Sequence, residues 1–406
     1  MAARRPDDAP RRRTSGLLNA LLRRVHDFLD VPVRARSPRG RIPRALFEPL
    51  EPKVMMSVDL PIGLPVVVSD TDGTVVTVRL SGPGEGQLDQ IEAGDGGNRL
   101  RVRLSHTTAE SRIDFAAAGG DGRFYIDAIT VTGALGGFAA GAGVLTGAAE
   151  VADTLGSLSL AAIAGGRVQA DAIGTLSISG DFTGNLTLGG ETGGLAMTTA
   201  VIGGGLDGHW NVQGRTGSIR AGVVADGWSG AFAAPITSLT TLGDFGGTLH
   251  GPSLQQLTVG GNLADADLFI GANLGSDGRI GGSGDAVDTF GAGNLNRVRV
   301  NGAVSGTRIR VGVDPVNGVF DDGNDAPLGA SRIQEFLVGG DFSGSTVVAG
   351  TLPAQALPPQ SHVTISSKVT KTSPRGARHR CVRVFSSQDE VARASSTRAT
   401  TGSVRQ

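Results

Sequence analysis

Between residues 151 and 353 the chain alternates apolar and polar residues in short stretches that end at a glycine. Five of these stretches align without gaps. Each reads apolar, two variable residues, apolar, any residue, usually apolar, any residue, Gly, usually Asp or Asn, then apolar. They are IGTLSISGDF from Ile173, ITSLTTLGDF from Ile236, LQQLTVGGNL from Leu254, LNRVRVNGAV from Leu295 and IQEFLVGGDF from Ile333. Alternation with period two predicts a β-strand with one buried face in each copy.

The glycine that ends each stretch predicts a bend after the strand, since β-branched residues adopt such backbone conformations poorly. A second short strand usually follows, as in GNLTL, SGTRIRV and SGSTVVAG. With two weaker copies included, the middle apolar positions are 158, 176, 219, 239, 257, 298 and 336. A unit of about twenty residues therefore recurs. Each gap of about twice that length is predicted to contain a degenerate unit or an excursion loop.

A unit of this size cannot bury its apolar face alone, but stacked copies form a continuous core. We therefore predict an all-β fold in which residues 151–353 form a parallel β-helix, or β-solenoid. A β-sandwich remains open, because turns at this spacing suit it as well. Residues 61–150 contain DTDGTVVTVRLSGPGEG, RLRVRLSH and GGDGRFYIDAITVTG. Alternating strands joined by Asp-Gly and Gly-Gly turns predict an antiparallel β cap or a small β domain there.

The two ends of the chain differ from this glycine-rich body. Within residues 1–60, SGLLNALLRRVHDFLD places its apolar residues at helical spacing, which predicts an amphipathic helix in a basic leader. Such a helix can lie on an anionic membrane surface, act as a targeting segment, or pack on a partner. Residues 354–406 are basic and rich in Ser and Thr, and this composition predicts a disordered tail.

The charge is distributed unevenly along the chain. Residues 61–353 carry 15 Lys and Arg against 29 Asp and Glu, whereas residues 1–60 carry 13 against 7 and residues 354–406 carry 9 against 2. An acidic body argues against nucleic acid as a partner, because phosphate binding needs a basic surface. The single cysteine, Cys381, excludes a disulfide within the chain and a zinc site built from several cysteines.

The stretch that follows the leader resembles the LEPR-XLL segment of large bacterial surface repeat proteins. It consists of Leu50, Glu51, Pro52, Lys53, Val54, Met55 and Met56. It departs from that pattern in having Lys53 for arginine, which loses the bidentate fork, and methionines for the leucine pair. The resemblance continues through DTDGTVVTVRLSGPG at 70–84, WSGAFAAPITSLTTLGDFGGTL at 228–249, and residues 312–353. It implies a secreted or surface-associated structural protein, with Leu50, Glu51, Pro52, Lys53, Met55 and Met56 as a sorting motif read by export machinery. It implies no catalytic residues.

One polar cluster suggests a metal. DPVNGVFDDGND supplies Asp314, Asn317, Asp321, Asp322 and Asp325, and calcium accepts six to eight oxygen ligands in irregular loops. The spacing fits neither the EF-hand nor the GGxGxDxUx repeat motif. A solvated turn accounts for the same composition, so calcium is the one cofactor that the sequence offers, and no other is expected.

Two further features bear on catalysis and on sugar binding. Asp265 and Asp267 stand two residues apart, which would place two carboxylates on one strand face, as a polysaccharide lyase or hydrolase would need. His209, Trp210 and Trp228 could form a sugar-stacking platform, although tryptophans that fill the space between coils are the simpler interpretation.

The sequence therefore predicts a non-enzymatic, exported structural or adhesive protein of the cell surface or extracellular space. Its expected partners are export or sorting machinery and a cell-envelope polysaccharide or protein. The alternatives are a carbohydrate-active β-helix enzyme and a calcium-dependent adhesin.

Overall fold

The computed structural model describes residues 54–92, 97–191, 193–273, 287–316, 325–329 and 331–350. Within these ranges the chain forms β-strands, bridges and turns, and no helix. The all-β prediction is confirmed for this part of the chain. The predicted leader helix and the predicted disordered tail lie outside the described residues.

The described residues form thirty strands. The first fifteen are β1 (Val54–Leu60), β2 (Pro65–Ser69), β3 (Val75–Ser81), β4 (Glu85–Glu92), β5 (Asn98–Ser105), β6 (Arg112–Ala118), β7 (Phe124–Val131), β8 (Gly137–Val151), β9 (Thr154–Ala170), β10 (Ala172–Ile178), β11 (Phe182–Leu188), β12 (Leu195–Asp207), β13 (His209–Val212), β14 (Arg215–Val224) and β15 (Ser229–Phe232). The remaining strands are β16 (Ile236–Thr241), β17 (Thr248–Gly251), β18 (Ser253–Val259), β19 (Leu263–Ala264), β20 (Asp267–Ile270), β21 (Ala272–Asn273), β22 (Thr289–Phe290), β23 (Asn294–Val300), β24 (Val304–Ser305), β25 (Arg308–Val311), β26 (Val313–Asp314), β27 (Ala326–Pro327), β28 (Arg332–Val338), β29 (Phe342–Ser343) and β30 (Thr346–Ala349).

The first six strands form two antiparallel groups. β1 pairs with β4 and β4 with β5, while β2 pairs with β3 and β3 with β6. Parallel pairing then starts earlier than predicted: β7 is parallel to β5, and β8 is parallel to both β6 and β7. The antiparallel region therefore ends near residue 118 instead of 150. GGDGRFYIDAITVTG alternates as a hairpin strand does, and alternation does not report strand direction.

From β8 onward, apart from the antiparallel pairs β21–β22 and β26–β27, the strands pair in parallel with strands that follow later in the chain. These parallel pairs form three ladders. In the first ladder, the residues paired with one another from strand to strand are Phe138, Leu158, Leu176, Ala200, Ile219, Leu239, Leu257, Val298 and Phe336. All seven middle positions that the sequence pattern marks lie on this line. Ala200 stands between Leu176 and Ile219, so a degenerate unit fills that long gap. The other two long gaps contain the short antiparallel pairs β21–β22 and β26–β27, which are excursions.

Two more parallel ladders connect the same segments. The second ladder aligns Ala149, Val168, Leu186, Trp210, Gly230, Leu249, Leu268, Ile309 and Val347. The third ladder aligns Leu145, Ile163, Phe182, Leu206, Val224, Phe245, Leu263, Val304 and Phe342. With the exceptions of Gly230 and half-buried Phe342, the residues on all three lines belong to the buried hydrophobic core. One continuous apolar interior therefore runs along the three ladders.

The glycine that ends each repeated stretch is required for space and not for backbone conformation. None of Gly180, Gly243, Gly261, Gly302 and Gly340 has a positive φ. A Cβ on Gly261 would overlap Asp244 Oδ1, and one on Gly302 would overlap Asn262 Oδ1. At Gly261 and Gly302, glycine is therefore needed because a polar side chain of the neighbouring repeat occupies the position that a Cβ would take.

The Asp or Asn after the glycine joins neighbouring coils. The backbone N–H of Asn262 donates to Asp244 Oδ1 at 2.6 Å, and that of Ala303 donates to Asn262 Oδ1 at 2.9 Å. The backbone N–H of Gly205 donates to Asp181 Oδ1 at 2.7 Å in the same way. The recurring glycine followed by Asp or Asn thus has one structural role, in which a side-chain acceptor in one repeat satisfies a backbone donor in the next.

Replacing Asp244 by alanine is expected to lower the free energy of unfolding by about 1 kcal/mol, because the Asn262 N–H loses its acceptor. Asp244→Asn keeps an acceptor oxygen, as Asn262 does in the following coil, and is expected to lose less than half as much. Denaturant unfolding of both variants measures the difference. Equal losses would show that this bond contributes little.

Candidate binding surfaces

The outward side of the first ladder carries a grid of hydroxyl groups. Its strands present outward residues on either side of the buried middle residue, so two columns run along the ladder. One column is Ser157, Thr175, Thr199, Ser218, Ser238 and Gln256, and the other is Ser159, Ser177, Val201, Arg220, Thr240 and Thr258. All twelve are exposed or half-buried. We call this set the hydroxyl face. It has nine hydroxyl groups and one charged residue, Arg220.

Sequence reasoning missed the hydroxyl face, although a signal was present. The repeated stretches read SLS, TLS, SLT and QLT around their middle leucine. Period two places residues on either side of a buried position on the opposite face. Parallel register is the additional information that turns these separate pairs into columns.

The outward side of the second ladder has a more varied surface. His209 Nδ1 lies 2.7 Å from the Ser229 hydroxyl on the next strand, and the His209 N–H donates to Asn185 Oδ1 at 3.3 Å. Further along, Nε and Nη2 of Arg308 donate to the two carboxylate oxygens of Asp267. The polar groups in this part of the ladder therefore bond mainly to one another.

Next to that ion pair, His250, Phe269 and Arg310 form a column that is buried although it lies outside the apolar interior. Their exposed fractions are 6%, 5% and 2%. The His250 ring stacks on Phe269 with centroids 5.0 Å apart, and the Arg310 guanidinium lies 5.6 Å from the Phe269 centroid. Phe269 also packs with Ala272 and Phe290 of the β21–β22 excursion. Sequence periodicity predicts these three side chains to be exposed, and packing against the excursion changes that.

Burial lowers the pKa of His250 from 6.5 to about 4, while the carboxylate of Asp267 acts in the opposite direction. Among the residues that the structure describes, His250 Nδ1 has no hydrogen-bond partner. The imidazole is therefore neutral in the folded protein at pH 7 and accepts a proton readily only after unfolding.

The free energy of unfolding is expected to fall by about 3 kcal/mol through His250 alone as the pH drops from 6.5 to 4. The sign follows from the lowered pKa: between these pH values the unfolded chain binds a proton that the folded chain does not. Denaturant unfolding at several pH values measures this contribution as the difference between wild type and His250→Phe, which keeps an aromatic ring. His209→Gln, at an exposed site, is the control. Parallel pH profiles for wild type and His250→Phe would contradict the assignment.

The structure describes two of the five predicted calcium ligands. Asp314 pairs with Ala326 across the β26–β27 excursion, which places Asp314 close to Asp325. Asn317, Asp321 and Asp322 lie outside the described residues. Within the described ranges, no group of three His, Cys, Asp or Glu side chains is placed to hold a metal ion.

The predicted sorting motif extends into the folded body. Leu50, Glu51, Pro52 and Lys53 lie outside the described residues, whereas Met55 and Met56 belong to β1. Met56 is half-buried and packs against the core, and the following Ser57 hydroxyl donates to Asp89 Oδ1 at 2.8 Å. The methionine end of the motif therefore also has a structural role, as the first strand of the sheet.

The carboxylate pair suggested for a polysaccharide-cleaving enzyme does not form. Asp265 lies in the corner before β20 with a φ of 51°, so period-two alternation does not extend from it to Asp267. Asp267 is bonded to Arg308. The expectation that both carboxylates share one strand face is wrong, because a left-handed residue turns the chain between them.

The tryptophans are not a sugar-stacking platform. Trp210 and Trp228 are each 1% exposed and stand in an edge-to-face column with Phe182 and Phe245. Successive ring centroids are 5.4, 6.2 and 5.9 Å apart. Within the described residues, the Phe, Tyr or Trp side chain with an exposed ring is Tyr125, on β7.

Comparison with known proteins adds no relative. No protein-family model, no curated protein and no solved structure matches the chain. Among the described residues there is no helix of the length and apolar character that crossing a membrane requires.

Proposed function

We propose that the three parallel ladders are the faces of a β-solenoid, and that this solenoid is the rigid body of an exported structural or adhesive protein at the cell surface or in the extracellular space. The observation that supports it best is the register of the first ladder. Nine interior residues from Phe138 to Phe336 stand in one line. Stacked coils of this kind make an elongated body with long, regular faces.

The surfaces support a scaffold over a catalyst. The clearest charged pairs, Asp267 with Arg308 and Glu335 with Arg297, bond to each other across neighbouring coils. Pairs of this kind neutralise a face. Of the two candidate catalytic carboxylates, Asp265 lies in a corner of the chain and Asp267 is bonded to Arg308. The proposal accordingly contains no catalytic step.

The LEPR-XLL-like stretch supports export. In this proposal, sorting machinery reads residues 50–56 while the downstream solenoid folds. Met56 takes part in both roles, since it lies in the motif and packs against the core.

Fractionation of the native cell, with mass spectrometry of the N-terminus of the intact chain, tests the proposal. We expect the chain in the surface or extracellular fraction, with its N-terminus at or beyond the LEPKVMMS segment. A cytoplasmic chain that starts at Met1 or Ala2 would overturn both the location and the sorting role.

A calcium-dependent adhesin is the second candidate, favoured by the pairing that places Asp314 near Asp325. Thermal unfolding with calcium and with a chelator tests it. Calcium is expected to raise Tm in wild type and not in Asp314→Asn, since ligand binding to the folded state stabilises it by mass action. An identical Tm with calcium and with chelator would remove this candidate.

A further inference from the structure

We propose that the hydroxyl face binds an extended, uncharged polysaccharide that lies along the first ladder. This inference rests on the proposed surface function and names the class of partner. The face is the outward side of six successive parallel strands, from Ser157 to Thr258, and its residues are set by the backbone register.

The chemistry of the face matches a neutral, hydroxyl-rich ligand. Nine of its twelve side chains are Ser or Thr, and each hydroxyl both donates and accepts a hydrogen bond. Neighbouring groups already form such bonds with one another: the Ser218 and Thr199 hydroxyls are 3.3 Å apart, and Gln256 Nε2 donates to the Thr258 hydroxyl at 3.1 Å. Arg220 is the one charged side chain of the hydroxyl face, so an anionic ligand would find a single cationic contact there.

The hydroxyl face is periodic, which suits a ligand that is itself periodic. Neighbouring strands of a sheet are about 4.8 Å apart, so each column repeats at that interval. An extended polysaccharide likewise presents hydroxyl groups at regular intervals along its length, so several of them can meet the columns at once. Short side chains on a paired strand also lose little conformational entropy on binding. One hydrogen bond is weak in water, but several repeated along one chain combine through a high effective concentration.

The rest of the described surface explains why hydrogen bonding, and not ring stacking, would hold the ligand. Trp210 and Trp228 are buried, and Tyr125 lies on β7. The outward side of the second ladder uses polar groups in ion pairs such as Asp267 with Arg308. The hydroxyl face is therefore the described surface with the most regular set of neutral donors and acceptors.

Co-sedimentation of the purified full chain with cellulose particles tests the proposal, with soluble cello-oligosaccharides of increasing length as competitors. We expect wild type to be retained equally at low and high salt, because neutral hydrogen bonding is not screened. Longer oligosaccharides should compete better than short ones. The triple variant Thr175→Val, Thr199→Val, Thr240→Val is expected to bind about tenfold more weakly.

A matched triple variant on another ladder, Thr130→Val, Thr187→Val and Thr248→Val, is the control. Valine keeps the shape and the strand propensity of threonine, and circular dichroism and Tm of both variants verify the fold. Wild type that is not retained, retention only at low salt, or equal loss in both triple variants would each overturn the proposal. A surface-located chain that fails to bind overturns the polysaccharide partner alone, whereas a cytoplasmic chain that binds overturns the proposed location alone.

Discussion

Replacing Trp228 by alanine is expected to lower the free energy of unfolding by about 3–5 kcal/mol. Trp228 is 1% exposed and stands between Trp210 and Phe245, with ring centroids at 6.2 and 5.9 Å. Its removal would leave a cavity that the neighbouring coils cannot close, because their positions are set by three parallel ladders.

Denaturant unfolding followed by circular dichroism measures this loss, and the fluorescence of Trp210 reports on the same coil. Trp228→Phe should lose less than the alanine variant, since a ring remains in the column. Tyr125→Ala, at a site that is 41% exposed, is the control and should change the free energy of unfolding by no more than about 0.5 kcal/mol. A Trp228→Ala protein as stable as this control would show that the aromatic column is not part of the cooperative core.

Gly147→Ala is expected to lower the free energy of unfolding by about 3 kcal/mol. A Cβ at Gly147 would overlap the backbone carbonyl oxygen of Asp127 in the preceding coil. Backbone atoms held in a ladder cannot move aside as the end of a long side chain can. The strain is therefore expected to spread through β7 and β8.

Gly141, in the same strand β8, is the matched control. A Cβ there would meet no atom within 4 Å, and the residue has no positive φ. Gly141→Ala is expected to leave stability unchanged or to raise it by about 0.5 kcal/mol, since alanine reduces the freedom of the unfolded chain. Thermal unfolding of both variants compares them directly. Equal Tm values would mean that β8 adjusts without cost and that close approach does not explain its glycines.

The candidate surfaces differ in how far the sequence predicts them. The hydroxyl groups of Ser157, Thr175 and Ser238 could be assigned to the outward side of their strands from alternation alone. Their arrangement in columns depends on which strands become neighbours. Ala200 illustrates the difficulty: its unit is too degenerate to be recognised by pattern, yet it stands between Leu176 and Ile219 in the first ladder.

His250 and Arg310 illustrate a second limit. Both occupy outward positions on their strands, where a period-two pattern predicts exposure. The β21–β22 excursion packs on this part of the ladder through Phe290 and Ala272. Contacts between residues distant in the sequence thus decide the protonation of His250, and no local pattern contains that information.

The sequence by itself determined the all-β class and the interior line of residues from Leu158 to Phe336, because period-two burial is a local property of each strand. It also marked the glycines and the Asp or Asn residues that follow them. Only the tertiary structure decided why those glycines are needed, where parallel pairing starts, and that Asp265 and Asp267 do not share a face. These features depend on which backbone segments are neighbours in the fold. In a parallel ladder, two paired residues are about twenty residues or more apart along the chain.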